Sequence, residues 1–312
     1  MTTRDEAREA LQSYLGRTGL SVGQVAQRIG YGRHPLLQFM SRAKYSDGDG
    51  SKAADLILKF IRDNPLDIPA PPGRLYSTRD VRLIDRQIEY VKRGHWALVN
   101  GPPGTQKTFT LDTRMAEQYN GGLEPGVVVI TPLPGLRPMA LIQEIAIGLG
   151  AYVGQNKTAT LRSILYTLRR RKAPLALCID EAQGLAGQLD TLETLRRVAD
   201  LGRIGLLIAG HDNVEDVLLA PRPDNQLEQW KSRIEQHISY LPGLNEEEAR
   251  AAIAGEAGEL PEEAVRKFIA SATVEHQRTR QGRFERLKYI SARRLFNSLR
   301  DFTEKRGNGK VN

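Results

Sequence analysis

The spacing of apolar residues predicts a layered α/β domain in the middle of the chain. Val81, Ile84, Ile88 and Val91 recur every three or four positions, as on one face of an amphipathic helix. Short apolar runs typical of buried parallel strands follow at 96–100, 126–131, 175–179 and 205–209. Helical patterns alternate with these runs at 138–149, 161–171 and 189–199. This alternation predicts a parallel sheet flanked by helices.

The pattern before this domain is helical throughout, and it predicts a separate domain at 1–62. Val25 with Ile29, and Leu36 with Phe39, form two apolar faces on either side of a turn at Gly30. This spacing is typical of a helix-turn-helix DNA-binding domain. The candidates for contacting bases are Arg33, His34 and Gln38. A helical hairpin used for protein contact has the same pattern and stays open as the alternative.

Two composition changes divide the rest of the chain. Residues 63–75 are rich in proline, which predicts an extended linker that tethers the N-terminal domain. Residues 76–243 carry the α/β pattern, and with the glycine-rich loop at 101–108 and a helical lid after it this layout resembles the nucleotide-binding core of AAA+ ATPases. From 244 to 312 the pattern predicts a basic helical lid, with Asn245 capping its first helix.

A glycine-rich loop follows the strand at 96–100 and predicts a phosphate-binding P-loop. Gly101 and Gly104 let the backbone turn tightly, Lys107 can reach phosphate oxygens, and Thr108 can ligate Mg²⁺. The candidate ATP-binding residues are Gly101, Pro102, Pro103, Gly104, Thr105, Gln106, Lys107 and Thr108. Gln106 stands where the motif has glycine. Taken alone, the loop also fits an ordinary Gly/Pro turn.

Two adjacent acids at the end of the run 175–179 supply the second half of such a site. Asp180 is placed to hold Mg²⁺, and Glu181 to polarise the attacking water. An acidic pair after a strand is often only a helix cap. Together with the P-loop upstream, it predicts ATP hydrolysis, with Lys107, Asp180 and Glu181 as catalytic residues and Thr108 and Asp180 as the metal ligands.

Composition and charge restrict the compartment and the kind of partner that the sequence predicts. Apolar residues make up 40% of the chain, enough for a substantial core, and the single cysteine, Cys178, is predicted to be a buried apolar residue. The charged N-terminus and the absence of a long apolar run predict a cytoplasmic protein with no membrane partner. The net charge is +8, and residues 271–312 hold eleven lysines and arginines against four acids. This distribution is typical of nucleic-acid binders, although a solvated helix face has it too.

Several stretches resemble the target-selection ATPases of the MuB family and, more loosely, the TnsC and TniB transposition ATPases. They are residues 164–172, 179–182, 232–234 and 292–297, in that order along the chain. The resemblance implies a protein, encoded by a phage or mobile element, that forms ATP-dependent helical filaments on double-stranded DNA. It also implies that the filament recruits and activates a DDE transposase and that ATP hydrolysis releases it.

The resemblance also assigns roles to single residues. Arg233 matches an arginine finger that enters a neighbouring subunit's ATP site, although it can instead pair with Glu228 or Glu235. Arg294 matches a lid arginine that touches the nucleotide. The alternative, that Arg294 belongs to the basic surface that faces DNA, stays open. The polar residue that holds the attacking water is His211 by position or Asn213 by chemistry.

The loop 131–137 resembles a duplex-contacting loop in the same family. Arg137, with Lys157 and Arg162, is a candidate for phosphate contacts that weaken steeply with salt and show little sequence preference.

The sequence therefore predicts a DNA-stimulated ATPase of transposition. Two alternatives remain: a replication-type helicase loader or initiator ATPase, and a helix-turn-helix transcriptional regulator that senses ATP without turnover.

Overall fold

A parallel sheet forms the centre of the molecule. The structure, a computed structural model, describes residues 3–18, 20, 22–41, 50–64, 73–118, 125–211, 214, 228–234, 237–280 and 283–307. The strands of the central sheet are β1 (Trp96–Asn100), β2 (Val127–Ile130), β3 (Ala176–Ile179), β4 (Gly205–Gly210) and β5 (Ile238–Tyr240). They pair in parallel in the order β2-β3-β4-β1-β5. The predicted α/β class is confirmed, and the short strand β5 was missed.

Helices cover both faces of this sheet and build the two ends of the chain. Those within the described residues are α1 (Thr3–Thr18), α2 (Val22–Arg28), α3 (Arg33–Ser41), α4 (Ser51–Asp63), α5 (Arg79–Lys92), α6 (Lys107–Glu117), α7 (Pro138–Leu149), α8 (Lys157–Arg170), α9 (Leu189–Gly202), α10 (Glu228–Ile234), α11 (Glu246–Ala257), α12 (Glu262–Ala272) and α13 (Ala292–Gly307).

The burial of alternate residues on opposite faces explains why the first four residues of β1 are apolar. Trp96 and Leu98 belong to the core shared with α7, α8 and α9. Ala97 and Val99 belong to the core shared with α5 and α6. Because both faces of the strand are buried, no polar alternation survives in it.

Helices α1 to α4 enclose a core of their own. Val25, Leu36 and Phe39 are buried in it, as the two predicted apolar faces require, and Gly30 takes a left-handed φ of 64° in the turn. The sequence predicts a tethered domain, yet α1 packs against α7, and Glu9 pairs with Arg170 at 2.6 Å. Residues 65–72, most of the predicted linker, lie outside the described residues.

The C-terminal region is not helical throughout, and here the prediction was wrong. Two antiparallel strands, β6 (Thr273–Arg280) and β7 (Arg283–Ile290), form a separate two-stranded sheet between α12 and α13. Arginine, lysine, glutamate and glutamine favour helices, so composition hid the strands. The signal for a hairpin was two strand-length runs separated by Gln281 and Gly282. The predicted cap is confirmed, because Asn245 and Glu248 form a capping box on α11.

Among the described residues, no helix is long and apolar enough to cross a membrane.

Candidate functional site

The loop after β1 turns tightly at its glycines. Gly104 has a φ of 89°, and a Cβ at this position would lie 2.2 Å from the Ser291 side-chain oxygen. A Cβ on Gly101 would lie 2.7 Å from the Cβ of Leu241. Any larger residue therefore collides at either position, so the glycines are required by the packing around the loop.

Gln106 occupies a left-handed conformation with φ of 60°. The glycine of the usual motif adopts this conformation without strain, whereas glutamine does not. The Gln106 carbonyl accepts hydrogen bonds from the Thr110 amide at 2.8 Å and the Thr110 hydroxyl at 2.7 Å. The first turn of α6 thus forms with glutamine in place, and the departure from the motif leaves the loop geometry intact.

The loop and the start of α6 form a cationic end. Lys107 is 7% exposed, and its Nζ donates to the carbonyl oxygens of Gly101 at 2.7 Å and Pro102 at 3.2 Å. The N-terminus of α6 adds its dipole at the same place. A phosphate bound here would be attracted by both the Lys107 ammonium group and the N-terminal dipole of α6.

Asp180 is fully buried at the end of β3. Its Oδ2 accepts a hydrogen bond from the Thr108 hydroxyl at 2.5 Å, and its buried Oδ1 has no partner among the described residues. Burial raises the pKa of Asp180, and its negative charge contributes to the raised pKa of Asp112, after burial. A buried carboxylate with an unpartnered oxygen beside a threonine hydroxyl fits Mg²⁺, whose preferred ligands are oxygens.

Glu181 follows in a left-handed conformation with φ of 50°. The Gln183 side-chain amide donates a close hydrogen bond to its carboxylate, and His211 Nε2 lies 3.7 Å from the same oxygen. Gln183 Oε1 accepts from the His211 backbone at 3.4 Å. Gln183 therefore ties Glu181 to the end of β4, a role the sequence interpretation missed. Asn213, the other candidate for holding water, lies outside the described residues.

A cavity of about 410 Å³ opens above the P-loop, between the core and α13. Its lining includes loop residues 104–109, Glu181, Arg293, Phe296 and Arg300. Arg294, the predicted lid arginine, does not line it. Positions 293, 296, 297 and 300 share one face of α13, and position 294 is turned about 100° away from 293. The arginines that α13 brings to the nucleotide cavity are therefore Arg293 and Arg300.

Arg233 lies at the other end of β1. Its guanidinium is 4.9 Å from the centre of the Trp96 ring and forms a close ion pair with Asp200. Among the described residues its ionic partner is Asp200 and not Glu228, and Glu235 lies outside the described residues. Because Trp96 begins β1 and the P-loop follows its last residue, Arg233 does not reach its own chain's nucleotide cavity.

The predicted DNA-contacting residues fall into two places. Arg33 and His34 are exposed in the first turn of α3, and Gln38 follows one turn later, partly buried. Arg137 and Lys157 both lie beside α9: Thr191 donates to the carbonyl of Leu136, the residue before Arg137, at 2.9 Å, and Lys157 donates to Thr194 at 3.1 Å. Arg162 is exposed on α8.

Residues 92–218 match the family described as AAA domain, and no curated protein matches the chain. The ORC1 protein of Aeropyrum pernix in complex with DNA is 18% identical, with a TM-score of 0.49, over 77% of this chain and 62% of that one. DnaA bound to AMPPCP and single-stranded DNA is 12% identical, with a TM-score of 0.47, over 75% and 66%.

Cdc6p from Pyrobaculum aerophilum is 21% identical, with a TM-score of 0.46, over 66% of this chain and 56% of that one. The chain thus spans less than two thirds of each of these structures, and the likeness concerns the fold alone. The P-loop, the order of the sheet and the matched AAA domain define the class of the protein: it has the AAA+ P-loop ATPase fold.

Proposed function

We propose that this chain is a DNA-stimulated ATPase that assembles on duplex DNA while ATP is bound and presents that DNA to a transposase. The observation that carries the ATPase part is the contact of Thr108 with a buried Asp180 whose second oxygen has no partner in the described part of the chain. The transposition part is supported by the resemblance of residues 164–172, 179–182, 232–234 and 292–297.

In this mechanism the backbone amides of residues 104–108 cradle the phosphates, and Lys107 exchanges its carbonyl partners for phosphate oxygens. Thr108 and Asp180 would hold Mg²⁺, which would supply positive charge to the phosphates. Glu181, fixed by Gln183, orients the attacking water. His211, 3.7 Å from Glu181, is placed to hold the same water.

A neighbouring subunit completes the site by contributing Arg233. Arginine at the γ-phosphate stabilises the charge of the transition state. Because Arg233 lies at the opposite end of β1, it can act only on another copy of the chain. Assembly on DNA would therefore stimulate hydrolysis by aligning copies, and hydrolysis would release them.

Electron microscopy on linear duplex DNA tests the assembly. We expect continuous filaments with ATP, none with ADP, and none for Lys107→Ala. Lys267→Ala is the matched control, because Lys267 is exposed on the lid and pairs only with Glu263 among the described ionic contacts. Isolated particles at discrete DNA sites, whatever the nucleotide, would contradict assembly and favour a regulator that senses ATP.

A replication initiator or helicase loader is the second candidate, because initiators are among the proteins that share this core fold. The two candidates differ in their partner. A strand-transfer assay with a DDE transposase separates them: stimulation by ATP-bound protein supports transposition, whereas helicase loading without such stimulation supports the initiator.

A further inference from the structure

The hairpin of β6 and β7 presents cations on a narrow ribbon. Side chains of β7 alternate between exposed, at Arg286 and Lys288, and partly or fully buried, at Leu287 and Tyr289. The two exposed cations lie on the same face, two residues or about 7 Å apart along the strand. In the described residues the hairpin forms a sheet of its own, and its only further bridge joins Ile290, at its base, to Leu244.

These cations are available to an anionic partner. Across the ladder, Arg286 is opposite Gln277 and Lys288 is opposite Glu275. Neither Arg286 nor Lys288 forms an ion pair with an acid among the described residues. By sequence the same two strands also carry arginines at 278, 280 and 283.

The base of the hairpin is bonded to the P-loop. The Tyr289 hydroxyl donates to the Pro103 carbonyl at 2.8 Å, and the Ala292 amide donates to the Gly104 carbonyl at 3.0 Å. Ser291 Oγ occupies the space that a Cβ on Gly104 would need. Lys288 is therefore one residue, and Arg286 three residues, from a direct contact with the nucleotide loop.

We propose that this hairpin binds the phosphates of duplex DNA, and that its bonds to Pro103 and Gly104 couple DNA binding to the nucleotide in the P-loop. The proposal rests on the proposed function in requiring that the chain bind DNA. A two-stranded ribbon fits a groove of the duplex.

The exposed side chains described on the hairpin are all polar or charged, so they form no apolar face for a lipid surface. They are Glu275, Gln277, Arg286 and Lys288, and the two cations among them suit phosphate oxygens. A change in the loop carbonyls when ATP replaces ADP would displace β7, and linkage requires that DNA in turn change the affinity for ATP.

Salt titration of binding to a duplex of random sequence tests the DNA contact, with fluorescence anisotropy as the readout and ATP present. The variant is Arg286→Gln with Lys288→Gln. Losing two phosphate contacts should reduce the slope of log K against log salt by about 1.8, and weaken binding roughly 30-fold near 0.15 M salt.

The matched control is Lys305→Gln with Arg306→Gln. It removes two exposed charges from the end of α13, in the same basic region but away from the hairpin. We expect its salt slope to equal that of the unmodified protein. Equal losses in the two variants would overturn the hairpin proposal, because they would show a general effect of net charge.

Tyr289→Phe tests the coupling, since it removes one hydroxyl and keeps the ring. We expect DNA affinity with ATP to fall less than threefold, and the ratio of affinities with ATP and ADP to move towards one. An unchanged ratio would overturn the coupling. Thermal unfolding of each variant checks that the fold is retained.

The outcomes separate the two proposals. If the unmodified protein binds no duplex DNA with ATP, the proposed function fails, and the hairpin proposal fails with it. If it binds DNA and the Arg286/Lys288 variant binds equally well, only the hairpin proposal fails. Charge-dependent binding of the hairpin to phosphatidylserine vesicles, with DNA binding unaffected, would assign the surface to a membrane instead.

Discussion

The two ends of the central sheet use polar groups in opposite ways. Where β1 and β3 end, Lys107 donates to two backbone carbonyls and a hydroxyl, and Asp180 keeps a buried oxygen without a described partner. Where β1 begins, Arg233 pairs with Asp200 and covers Trp96, and the Tyr90 hydroxyl contacts His237 closely.

The comparison shows which end is prepared for a ligand. Buried carboxylates are rarely left without partners, so a buried carboxylate oxygen with no described partner beside a threonine hydroxyl favours a cation site. At the other end the charged groups pair with one another, although the buried Trp230 Nε1 has no hydrogen-bond partner among the described residues. Arg233 can serve a neighbouring subunit only by leaving Asp200, and about 13 Å of strand separates it from its own loop.

Arg233→Ala should have the largest effect. If the residue acts in a neighbour's site, hydrolysis by the DNA-bound assembly falls by about 10³ to 10⁵. Mixing this variant with Lys107→Ala should recover part of the activity, because each variant supplies what the other lacks. Arg203→Ala, from the same end of the sheet, is the control. An Arg233→Ala assembly that hydrolyses ATP at the normal rate would leave Arg233 a structural role only.

Glu181→Gln should come next. Removing the carboxylate that orients water is expected to slow hydrolysis by roughly 10² to 10⁴ while ATP binding is kept. Steady-state hydrolysis and binding of a fluorescent ATP analogue measure the two separately. A comparable loss of binding would contradict the role, since it would show that Glu181 acts before the chemical step.

Asp80→Asn tests the cost of burying charge near the nucleotide end. Asp80 accepts a hydrogen bond from the Gly243 amide, and burial raises its pKa to about 7. The folded state therefore holds a proton that the unfolded state has lost, and stability falls as pH rises from about 4 to 7. Because the pKa of Asp80 is raised by about three, the free energy of unfolding falls by at most about 4 kcal/mol over this pH range.

Urea unfolding across that pH range is the measurement. Asp80→Asn should have a shallower decline than the unmodified protein. Parallel curves for the two proteins would show that Asp80 titrates normally despite its burial.

Asp200→Asn should have the smallest effect. Asp200 pairs with Arg233 and, one helical turn away, with Arg196, and because these side chains are partly exposed the loss of each pair costs less than about 1 kcal/mol. Hydrolysis by the assembly should be kept or rise slightly, because Arg233 is released. Strongly impaired hydrolysis in this variant would mean that Asp200 itself has a role at the subunit contact.

Local patterns were enough to predict the nucleotide end. Gly101, Lys107 and Thr108 lie within eight residues, and Asp180 with Glu181 ends an apolar run, so chain geometry alone brings each set together. Parallel strands then place both sets at one edge of the sheet. The buried partner of Thr108 was thus foreseeable from sequence, and so was burial of Cys178.

Groups that depend on packing between distant segments were not foreseeable. Whether Arg293 or Arg294 lines the cavity is decided by the rotation of α13 about its axis. Gln183 gains its role only because β3 and β4 are neighbours. The hairpin was missed because its strands consist of residues that favour helices when considered alone.

The sequence by itself determined the class of fold and the phosphate-binding chemistry, because both depend on short contiguous motifs and on the periodic spacing of apolar residues. Tertiary structure alone decided the partner of Arg233, the lining of the cavity and the bonding of the hairpin to the P-loop. These are contacts between residues far apart in the chain, and their geometry is set by the packing of whole elements against one another.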